Sequence, residues 1–549
     1  MPIEKLQDDD LVKTELAELT RMQGERAPWE SQYRDIDDRV NPTEAGGFRK
    51  MSPGGRRGGE NFDVTAIESL DRFAAAMAAI TVPLQTQYIK LRFADPELNK
   101  LPAVRRWCEE AGDRLYAIRY APHTGFGVQA SEDFRQLGTY GTSPLWTGEK
   151  RGVGLFYKTL HLSECFIDED FSGRVDTVRR KFTRTARQCA QLFTLDGCTP
   201  KMREAIREGK DHTTFEIMHS VRPSSEIDPE ALDYRGMPVA SIYIAVDEKI
   251  ILQRAGFHSM PISVSRHITS PGDKYGRSPA MKVLPSIMGV NQMAQTILKS
   301  AHKMVDPALA FYSDDGITSI VTRPGGANPG LVNESGQLMV QALPTGSNLP
   351  IGLEMIEMER RVIRTAFLED YFKILTDPSD RMTATQVLET AAKQGVLVAP
   401  YASRYESEKQ NPVTQRDLEL AMRAGQIKPF PPEVIEAGGY PVIHYENPLS
   451  RMARAQEAAG LTRWIEAMAP LAQVDDGAVF DNIDVDAAGP GLADVLGVRP
   501  SWVATPDQVA AKRKAREDSK MQQAGVEQLQ GAAAAGLDLA RANQIAEAA

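Results

Sequence analysis

The order of hydrophobic and polar positions divides the chain into helical segments on either side of a β-rich middle. Residues 4–40 have apolar side chains at helical spacing as far as Pro28, where a second, aromatic-rich helix is predicted to begin. The same periodicity returns at 63–80 and 103–116. The middle alternates apolar and polar residues as strands do, in six segments at 152–160, 175–183, 213–221, 239–246, 250–255 and 262–268. The pattern predicts an α+β protein.

Two long helices flank a short β element further along the chain. The first is predicted at 279–305, where apolar residues recur at near 3.5-residue spacing, and the second at 351–375. Two short strands, 308–312 and 338–343, are predicted between them. This succession favours a rod that packs on neighbouring copies of the chain. The alternative is an ordinary intramolecular pair of helices with a hairpin between them.

The remainder of the chain is mainly helical. The second long helix is interrupted at 376–381, and helical periodicity resumes at 382–397 and continues with breaks to about residue 425. A single strand is predicted at 440–445, followed by further helices. After Trp502 no aromatic residue occurs, and Ala, Gln and Gly dominate. That composition predicts an exposed helix or a disordered tail.

Composition and charge narrow the class of protein. A chain of 549 residues is expected to form roughly three or four packed units. The sequence has 74 Asp and Glu against 64 Lys and Arg, a net charge of −10. That balance argues against a protein that grips nucleic acid through a broad basic face, although a channel through which DNA slides is compatible with it. A soluble acidic protein without a nucleic-acid role is the alternative.

The four cysteines and the N-terminus indicate a protein made in a reducing compartment. Cys108, Cys165, Cys189 and Cys198 form no C-x-x-C pair, so we expect them to be reduced and structural. The first residues contain no apolar segment of the kind found in a secretory signal, and no stretch is long and apolar enough to predict a membrane helix. We therefore expect no membrane association.

Catalytic motifs are absent from the sequence. It contains no zinc-binding, P-loop, nucleophile-elbow or EF-hand pattern. The acidic runs at 168–170 and 484–486 favour solvated turns over a metal site, since one run supplies too few converging carboxylates for a nuclease. We therefore expect no enzymatic activity and no cofactor, although a site assembled from distant segments remains the alternative.

Four short motifs, in this order, support a family resemblance that extends to about residue 502. They are Pro28-Trp29-Glu30, the helix at 63–83, Tyr275-Gly276-Arg277-Ser278-Pro279 at the start of the first long helix, and Tyr445-Glu446-Asn447-Pro448-Leu449-Ser450-Arg451. With the succession of helix, β element and helix, they resemble the portal (head-to-tail connector) proteins of short-tailed bacteriophages.

This resemblance implies the phage portal fold, a ring-forming α+β architecture with a helical stem, a β-containing clip and wing, and an α-helical crown. The implied divisions are 1–274 for N-terminal helices and wing, 275–306 for the first stem helix, 307–350 for the clip, 351–375 for the second stem helix, 376–381 for a channel loop, 382–445 for the long wing helix and return strand, 446–520 for the crown and 521–549 for the tail.

The resemblance also implies a function and partners. Twelve subunits would form a ring at one capsid vertex, through which double-stranded DNA enters during packaging and leaves during ejection, without sequence recognition. The terminase large subunit and then tail adaptor proteins would dock on the ring, beside the major capsid and scaffolding proteins. Such a protein is found in the virion, after assembly in the host cytoplasm. The alternative is another structural virion protein, such as a scaffold, minor capsid or tail tube component.

Two sets of residues are predicted to meet DNA. By resemblance, the channel loop consists of Thr376, Asp377, Pro378, Ser379, Asp380 and Arg381, in which the aspartates repel phosphate and the arginine attracts it. Possible cations of the channel wall are Lys299, Lys303, Arg360, Arg361 and Arg364. For these five residues, solvated faces or ion pairs between subunits are an equally good interpretation.

Overall fold

The structure is a computed structural model, and it describes most of the first 445 residues together with short pieces beyond them. The described residues are 3–42, 47–49, 52, 54–84, 86–150, 152, 154–225, 227–311, 321, 328, 331–332, 335–342, 349–369, 400–439, 441–445, 464, 484, 488–489, 493, 503–504 and 508–521.

Helices and strands alternate along the described residues. The helices are α1 (Ile3–Arg39), α2 (Thr65–Thr81), α3 (Pro102–Arg119), α4 (Phe126–Tyr140), α5 (Ala186–Gly197), α6 (Pro200–Arg207), α7 (Pro279–Lys282), α8 (Leu284–Val305), α9 (Leu349–Ala366), α10 (Asn411–Arg423) and α11 (Pro432–Glu436). The strands are β1 (Ile89–Phe93), β2 (Thr142–Lys150), β3 (Gly154–Thr159), β4 (Cys165–Glu169), β5 (Val175–Thr185), β6 (Thr214–Pro223), β7 (Val239–Ala245), β8 (Ile250–Phe257), β9 (Ile262–Arg266), β10 (Leu309–Phe311), β11 (Val340–Ala342) and β12 (Pro441–Tyr445).

The α+β prediction is confirmed. The six predicted β segments correspond to the strands β3, β5, β6, β7, β8 and β9. Five strands form one antiparallel sheet in the order β4-β5-β6-β7-β8, and three form another in the order β3-β2-β9. The sequence did not predict β1, β2, β4, α4, α6 or α11.

The first helix is longer than predicted, because α1 continues through Pro28 instead of ending before it. The two-helix prediction for residues 4–40 is therefore wrong. Contacts on both sides of the proline stabilise the continuous helix. Arg26 donates to the carbonyl oxygens of Leu162 and Cys165, at 2.8 Å each, and Tyr33 is fully buried. Such packing offsets the one backbone hydrogen bond that a proline removes.

The five-stranded sheet has helices on both faces. On one face, α1 packs Val12, Leu19 and Met22 against Met218 and Ile242 of the sheet. On the other face, α5 and α6 bury a second cluster, whose members are Phe182, Cys189, Phe193, Cys198, Met202, Ile217, Ala245 and Leu252. All four cysteines are free and buried, as predicted from the sequence.

Buried charges connect the helical segment formed by residues 406–410 and α10 to α4 and the three-stranded sheet. Residues 406–410 form a π-helical turn immediately before α10, and Lys409 in this turn is paired with Asp133 at 2.8 Å. Arg119 of α3 is paired with Asp417 of α10 at 2.7 Å, and both side chains are fully buried. The described part of the predicted 382–445 region is thus helical to Arg423 and returns in strand β12, as predicted.

A smaller unit consists of residues 91–110, 430–442 and 448–549, of which the structure describes mainly the first two segments. An aromatic cluster forms its core, with Phe93, Trp107 and Phe430 at ring-centroid distances of 5.0 to 6.1 Å. Most of the predicted crown, 446–520, lies outside the described residues, and all of residues 522–549 of the tail do.

The two long helices and the β element between them are present. α7 and α8 follow Ser278, whose hydroxyl accepts from the Met281 amide at 3.0 Å, and α8 ends before Asp306. β10 and β11 pair antiparallel within 307–350. The second helix, α9, ends at Ala366 and not at residue 375, because Leu368 adopts a left-handed backbone conformation (φ 60°) that cannot continue a helix.

Candidate functional site

The two long helices α8 and α9 pack side by side along an apolar seam. The seam contains Ile287, Val290 and Ala294 of α8 and Ile356 and Ile363 of α9, all buried. At one end the helices come close together, since a Cβ atom at Gly352 would lie 3.1 Å from Ile297. This seam covers one side of each helix and leaves the other sides exposed.

Polar contacts fix the seam to the segment before α2. The side chain of Asn291 on α8 accepts from the Phe62 amide at 2.6 Å and donates to the Glu60 carbonyl at 2.9 Å. On α9, Arg360 is paired with Asp63 at 2.7 Å. Burial alone would raise the pKa of Asp63. Hydrogen bonds from Thr65 and Arg360 outweigh that effect and lower this pKa, which keeps the ion pair with Arg360 charged.

Helix α2 holds the end of α9. The ring of Phe367, just after the helix, is buried and lies edge-on to Phe73, with centroids 6.2 Å apart. Glu369 forms an ion pair with Arg72 and accepts a hydrogen bond from Ser69 at 3.2 Å. The point at which the chain leaves α9 toward residues 376–381 is thereby anchored by aromatic and charged contacts.

A second apolar stripe on α9 is not covered by the part of the chain that the structure describes. Ile351, Met355, Met358 and Val362 are 54, 52, 65 and 49% exposed. They are spaced four, three and four residues apart, so they lie on one side of the helix, away from the buried stripe of Ile356 and Ile363. Solvent-exposed apolar stripes at this spacing are typical of a helix that packs on another helix.

An open apolar groove of about 450 Å³ runs along the opposite flank of α9, beside α8. Its lining residues are Phe62, Ala294, Ile297, Leu298, Leu353, Ile356, Glu357 and Arg360. At about 100° of rotation per residue, Leu353, Glu357 and Arg360 lie on nearly the opposite side of α9 from Met355 and Met358. The helix pair therefore has an apolar ridge on one flank and an apolar groove on the other.

The five predicted channel-wall cations do not form one group. Arg360 and Arg364 are both paired with Glu357 of the same helix, at 3.1 and 3.3 Å. Lys299 and Lys303 are exposed on the side of α8 opposite its buried stripe. Arg361 is likewise exposed opposite the buried stripe of α9. The two lysines therefore lie on one side of the α8–α9 pair and Arg361 lies on the opposite side. A single channel wall cannot contain all three residues.

Some predicted features lie outside the described residues, and some observed ones had no sequence signal. The channel loop, Thr376 to Arg381, lies outside the described residues, and so does most of the predicted clip. No signal in the sequence indicated Asn291, Asp63 or the groove. Each depends on a contact between segments more than 200 residues apart in the chain, such as that between Phe62 and Asn291. Only the repeated spacing of apolar residues in α8 and α9 was visible beforehand.

The part of the chain that the structure describes contains neither a metal-binding cluster nor a membrane-spanning helix. No group of three or more His, Cys, Asp or Glu side chains is placed to hold a metal ion there. None of the described helices has the length and hydropathy needed to span a membrane.

Comparison with known proteins identifies relatives along nearly the whole length. A family model described as "Bacteriophage head to tail connecting protein" matches residues 13–503. A probable portal protein of Bordetella phage BPP-1 is 26% identical over 518 residues, covering 91% of this chain and 90% of that protein. The portal protein of Salmonella phage epsilon15 is 25% identical over 530 residues, covering 95% and 93%.

A solved structure is also similar. A chain in the neck of an empty gene transfer agent (GTA) particle matches with a TM-score of 0.37 and 15% identity, covering 78% of this chain and 95% of that chain.

Proposed function

The chain belongs to the family of bacteriophage head to tail connecting proteins, and from this premise we propose that copies of it close into a ring around a channel for double-stranded DNA. The ring would contain about twelve subunits, each contributing its α8–α9 pair to the wall. It would occupy one vertex of the capsid in the virion, after assembly in the host cytoplasm. The protein acts in this proposal as a structural component, without catalysis and without a cofactor.

The observation that carries the ring is the exposed apolar ridge of Ile351, Met355, Met358 and Val362 together with the groove on the other flank of α9. Because the ridge and the groove are different surfaces on opposite flanks, the ridge of one subunit fits the groove of the next, and the contact repeats in one direction. Such a heterologous contact generates a closed ring or an open filament. It cannot generate a two-fold dimer.

Burial of the ridge favours association. Complete burial of a large apolar side chain is worth about 1.5 to 3 kcal/mol, and the four ridge residues are already about half buried, so covering the remainder supplies on the order of 3 to 6 kcal/mol per contact. Part of this free energy offsets the loss of rotational and translational freedom on association. In a ring, each subunit makes two such contacts, one through its ridge and one through its groove.

The charges of α8 support its placement on the channel side. The helix contains no Asp or Glu, whereas Lys299 and Lys303 lie one turn apart on its exposed side. In a ring these lysines form two cationic circles about 6 Å apart along the axis. Isolated circles on a protein of net charge −10 attract phosphates without a continuous basic surface, which lets DNA slide.

Other parts of the chain complete the proposal. The loop Thr376–Arg381 follows α9 closely in sequence and is proposed to project into the channel, where Asp377 and Asp380 repel the duplex and Arg381 attracts it. Residues 307–350, which contain the β10–β11 pair, are proposed as the clip on which the terminase large subunit and then tail adaptor proteins dock. The major capsid and scaffolding proteins are proposed to contact the ring from outside.

Substitution in the ridge tests the ring. The variants Met355→Asp and Met358→Asp place a charge in the proposed contact, and desolvating that charge opposes association. We expect both to remain folded, since these side chains are exposed, and to sediment as monomers where the unmodified chain sediments as rings. Val128→Asp is the control, because Val128 is also 65% exposed but lies on α4.

Two outcomes would contradict the proposal. Rings of unchanged size in both ridge variants would show that α9 does not form the contact. Filaments or small oligomers of the unmodified chain would favour the alternative, another structural virion protein such as a scaffold, minor capsid or tail tube component.

A further inference from the structure

Two turns at one end of the five-stranded sheet present fully exposed apolar side chains. The β4–β5 turn carries Phe171, and the β6–β7 loop carries Leu232, both completely exposed to solvent. The strand registers place the two turns at the same end, because Glu169 pairs with Val175 and Pro223 pairs with Val239. A lone exposed leucine is ordinary, but two fully exposed large apolar residues on adjacent turns indicate a contact surface.

Both turns are held in shape by their own hydrogen bonds. A carboxylate oxygen of Asp170 accepts from the backbone amides of Ser172 and Arg174, at 2.7 and 3.0 Å. In the β6–β7 loop, Asp228 accepts from the Glu230 amide at 3.1 Å and Asp233 from the Arg235 amide at 3.0 Å. Phe171 and Leu232 are therefore presented on ordered turns, and little entropy is lost when they are buried in a partner.

The same end of the sheet is acidic. Residues 168–176 contain four acidic residues and one arginine, and residues 224–237 contain four acidic residues and one arginine. Each segment thus has a net charge of −3. Because Asp168 is already paired with Arg21 and Lys274, and Glu169 with Arg266, the carboxylates offered to a partner are mainly Asp170, Asp176, Asp228 and Glu230. A partner that covers Phe171 and Leu232 must accordingly be basic as well as apolar.

The opposite end of the sheet has the complementary charge. The guanidinium groups of Arg180 and Arg184 lie 4.2 and 4.6 Å from the centre of the Phe182 ring. Lys158 is exposed beside them, and its pKa is lowered by partial burial and by these two arginines. Arg180 is already paired with Glu164 at 2.7 Å, so this cationic cluster, Lys158, Arg180 and Arg184, has one counter-charge and two positive charges in excess. An approaching acidic group relieves the repulsion that remains between them.

The two ends cannot meet within one molecule. On β5, Val175 lies five residues from Arg180 and nine from Arg184, which corresponds to about 17 and 30 Å along the strand. A contact between the acidic turns and the cationic cluster must therefore join two molecules. Because the two surfaces differ, it repeats head to tail, as the contacts of a closed ring do.

We propose that the Phe171 and Leu232 turns of one subunit dock on the Lys158, Arg180 and Arg184 cluster of a second copy of this chain. This inference rests on the proposed ring and adds a second subunit contact, far from the α8–α9 ridge in sequence. The exposed phenyl ring of Phe171 can stack on an arginine, while the acidic side chains of both turns approach the cluster. The contact joins neighbouring sheets while leaving the helical contact to the ridge.

Zero-length carbodiimide coupling followed by peptide mass spectrometry tests this contact on the purified full-length protein. The reagent joins a carboxylate to a lysine only where the two touch. We expect Lys158 to be linked to Asp170, Asp176, Asp228 or Glu230, and such a link can only be intermolecular. Phe171→Ser with Leu232→Ser should reduce its yield at least tenfold, whereas the control Val128→Ser should leave it unchanged.

The outcomes distinguish this inference from the ring itself. If rings form but Lys158 is linked only to the nearby Glu132 or Glu164, the inference is wrong and the ring stands. If no ring forms in the unmodified protein, the proposed function fails before the contact can be considered, and links from Lys158 to the acidic turns would then belong to another assembly.

Discussion

At the scale of single residues, Lys409 shows how buried charge orders the middle of the chain. Its ammonium group donates to Asp133 at 2.8 Å and to the carbonyl oxygens of Ser143 and Ser263 at 2.7 and 3.0 Å, so all three of its protons are used. Burial lowers the pKa of Lys409, and Asp133 opposes that effect. The π-helical turn directs this side chain inward.

Replacing Lys409 should destabilise the fold strongly. In Lys409→Met the buried Asp133 loses its counter-charge, and loss of one partner from a buried ion pair costs about 3 to 5 kcal/mol. Urea unfolding should show this loss. Lys13→Met is the matched control, since Lys13 and Asp10 form an exposed pair that is worth less than about 1 kcal/mol. Equal losses in the two variants would contradict the role of Lys409.

A hydrogen-bonded chain of side chains in the core should make stability depend on pH. Tyr140 donates to Asp37 at 2.6 Å, and its hydroxyl lies 3.2 Å from His161. Burial raises the pKa of Asp37 to about 6, against the Tyr140 hydrogen bond, and burial lowers the pKa of His161 to about 4. Folded Asp37 thus binds more protons than unfolded Asp37 between about pH 4 and 6, whereas His161 binds fewer.

The two groups consequently act in opposite directions. The contribution of Asp37 to stability increases as the pH falls from 6 to 4, and that of His161 decreases as the pH falls from 6.5 to 4. We expect Asp37→Asn to lose stability more steeply on acidification than the unmodified protein, and His161→Gln less steeply. Thermal midpoints measured between pH 4 and 7 give the slopes. Identical slopes in all three proteins would rule out this assignment.

At the scale of elements, the α8–α9 pair shows which features a sequence can predict. Both helices have apolar residues at a constant spacing, and this periodicity survives in any tertiary context, so their existence and the β10–β11 pair between them were predicted correctly. The end of α9 was predicted incorrectly, because nothing in the local composition indicates that Leu368 adopts a left-handed backbone conformation.

Missed elements share one physical cause. β2 contains Pro144 and Gly148, which disfavour a strand locally, yet it pairs with β3 on one side and β9 on the other. α4 begins immediately after Gly125, which resembles a turn in sequence, but its close packing on α2 brings Gly138 against Leu70 and Phe73. In each case tertiary contacts outweigh local propensity, and these contacts join segments too distant in the chain to be inferred.

The exposed lysines of α8 provide a test at the same scale. Lys299→Gln with Lys303→Gln should leave rings intact and weaken their retention of double-stranded DNA about equally for all sequences, with a shallower dependence on salt. Binding measured at several salt concentrations gives the slope. Arg361→Gln is the control, because Arg361 lies on the other side of the helix pair. A loss of DNA retention in the control alone would place α9, not α8, on the channel.

At the scale of the whole molecule, distinct surfaces are arranged for repeated contact in one direction. The ridge and groove of α9 differ from each other, as do the acidic turns and the cationic cluster of the five-stranded sheet. A net charge of −10 on each copy opposes close association, so apolar burial and the local pairing of opposite charges must together supply the attraction. The family resemblance predicted a ring, and these surfaces supply a physical means of closing it.

Electron microscopy of the purified full-length protein tests the central claim most directly. Particles viewed along their axis should be closed rings with a central hole and about twelve lobes, since heterologous contacts of one kind close only at a fixed number of copies. Met358→Asp prepared in parallel should yield no rings. A field of monomers, hexamers or open filaments from the unmodified protein would contradict the claim that this chain forms a ring around a DNA channel.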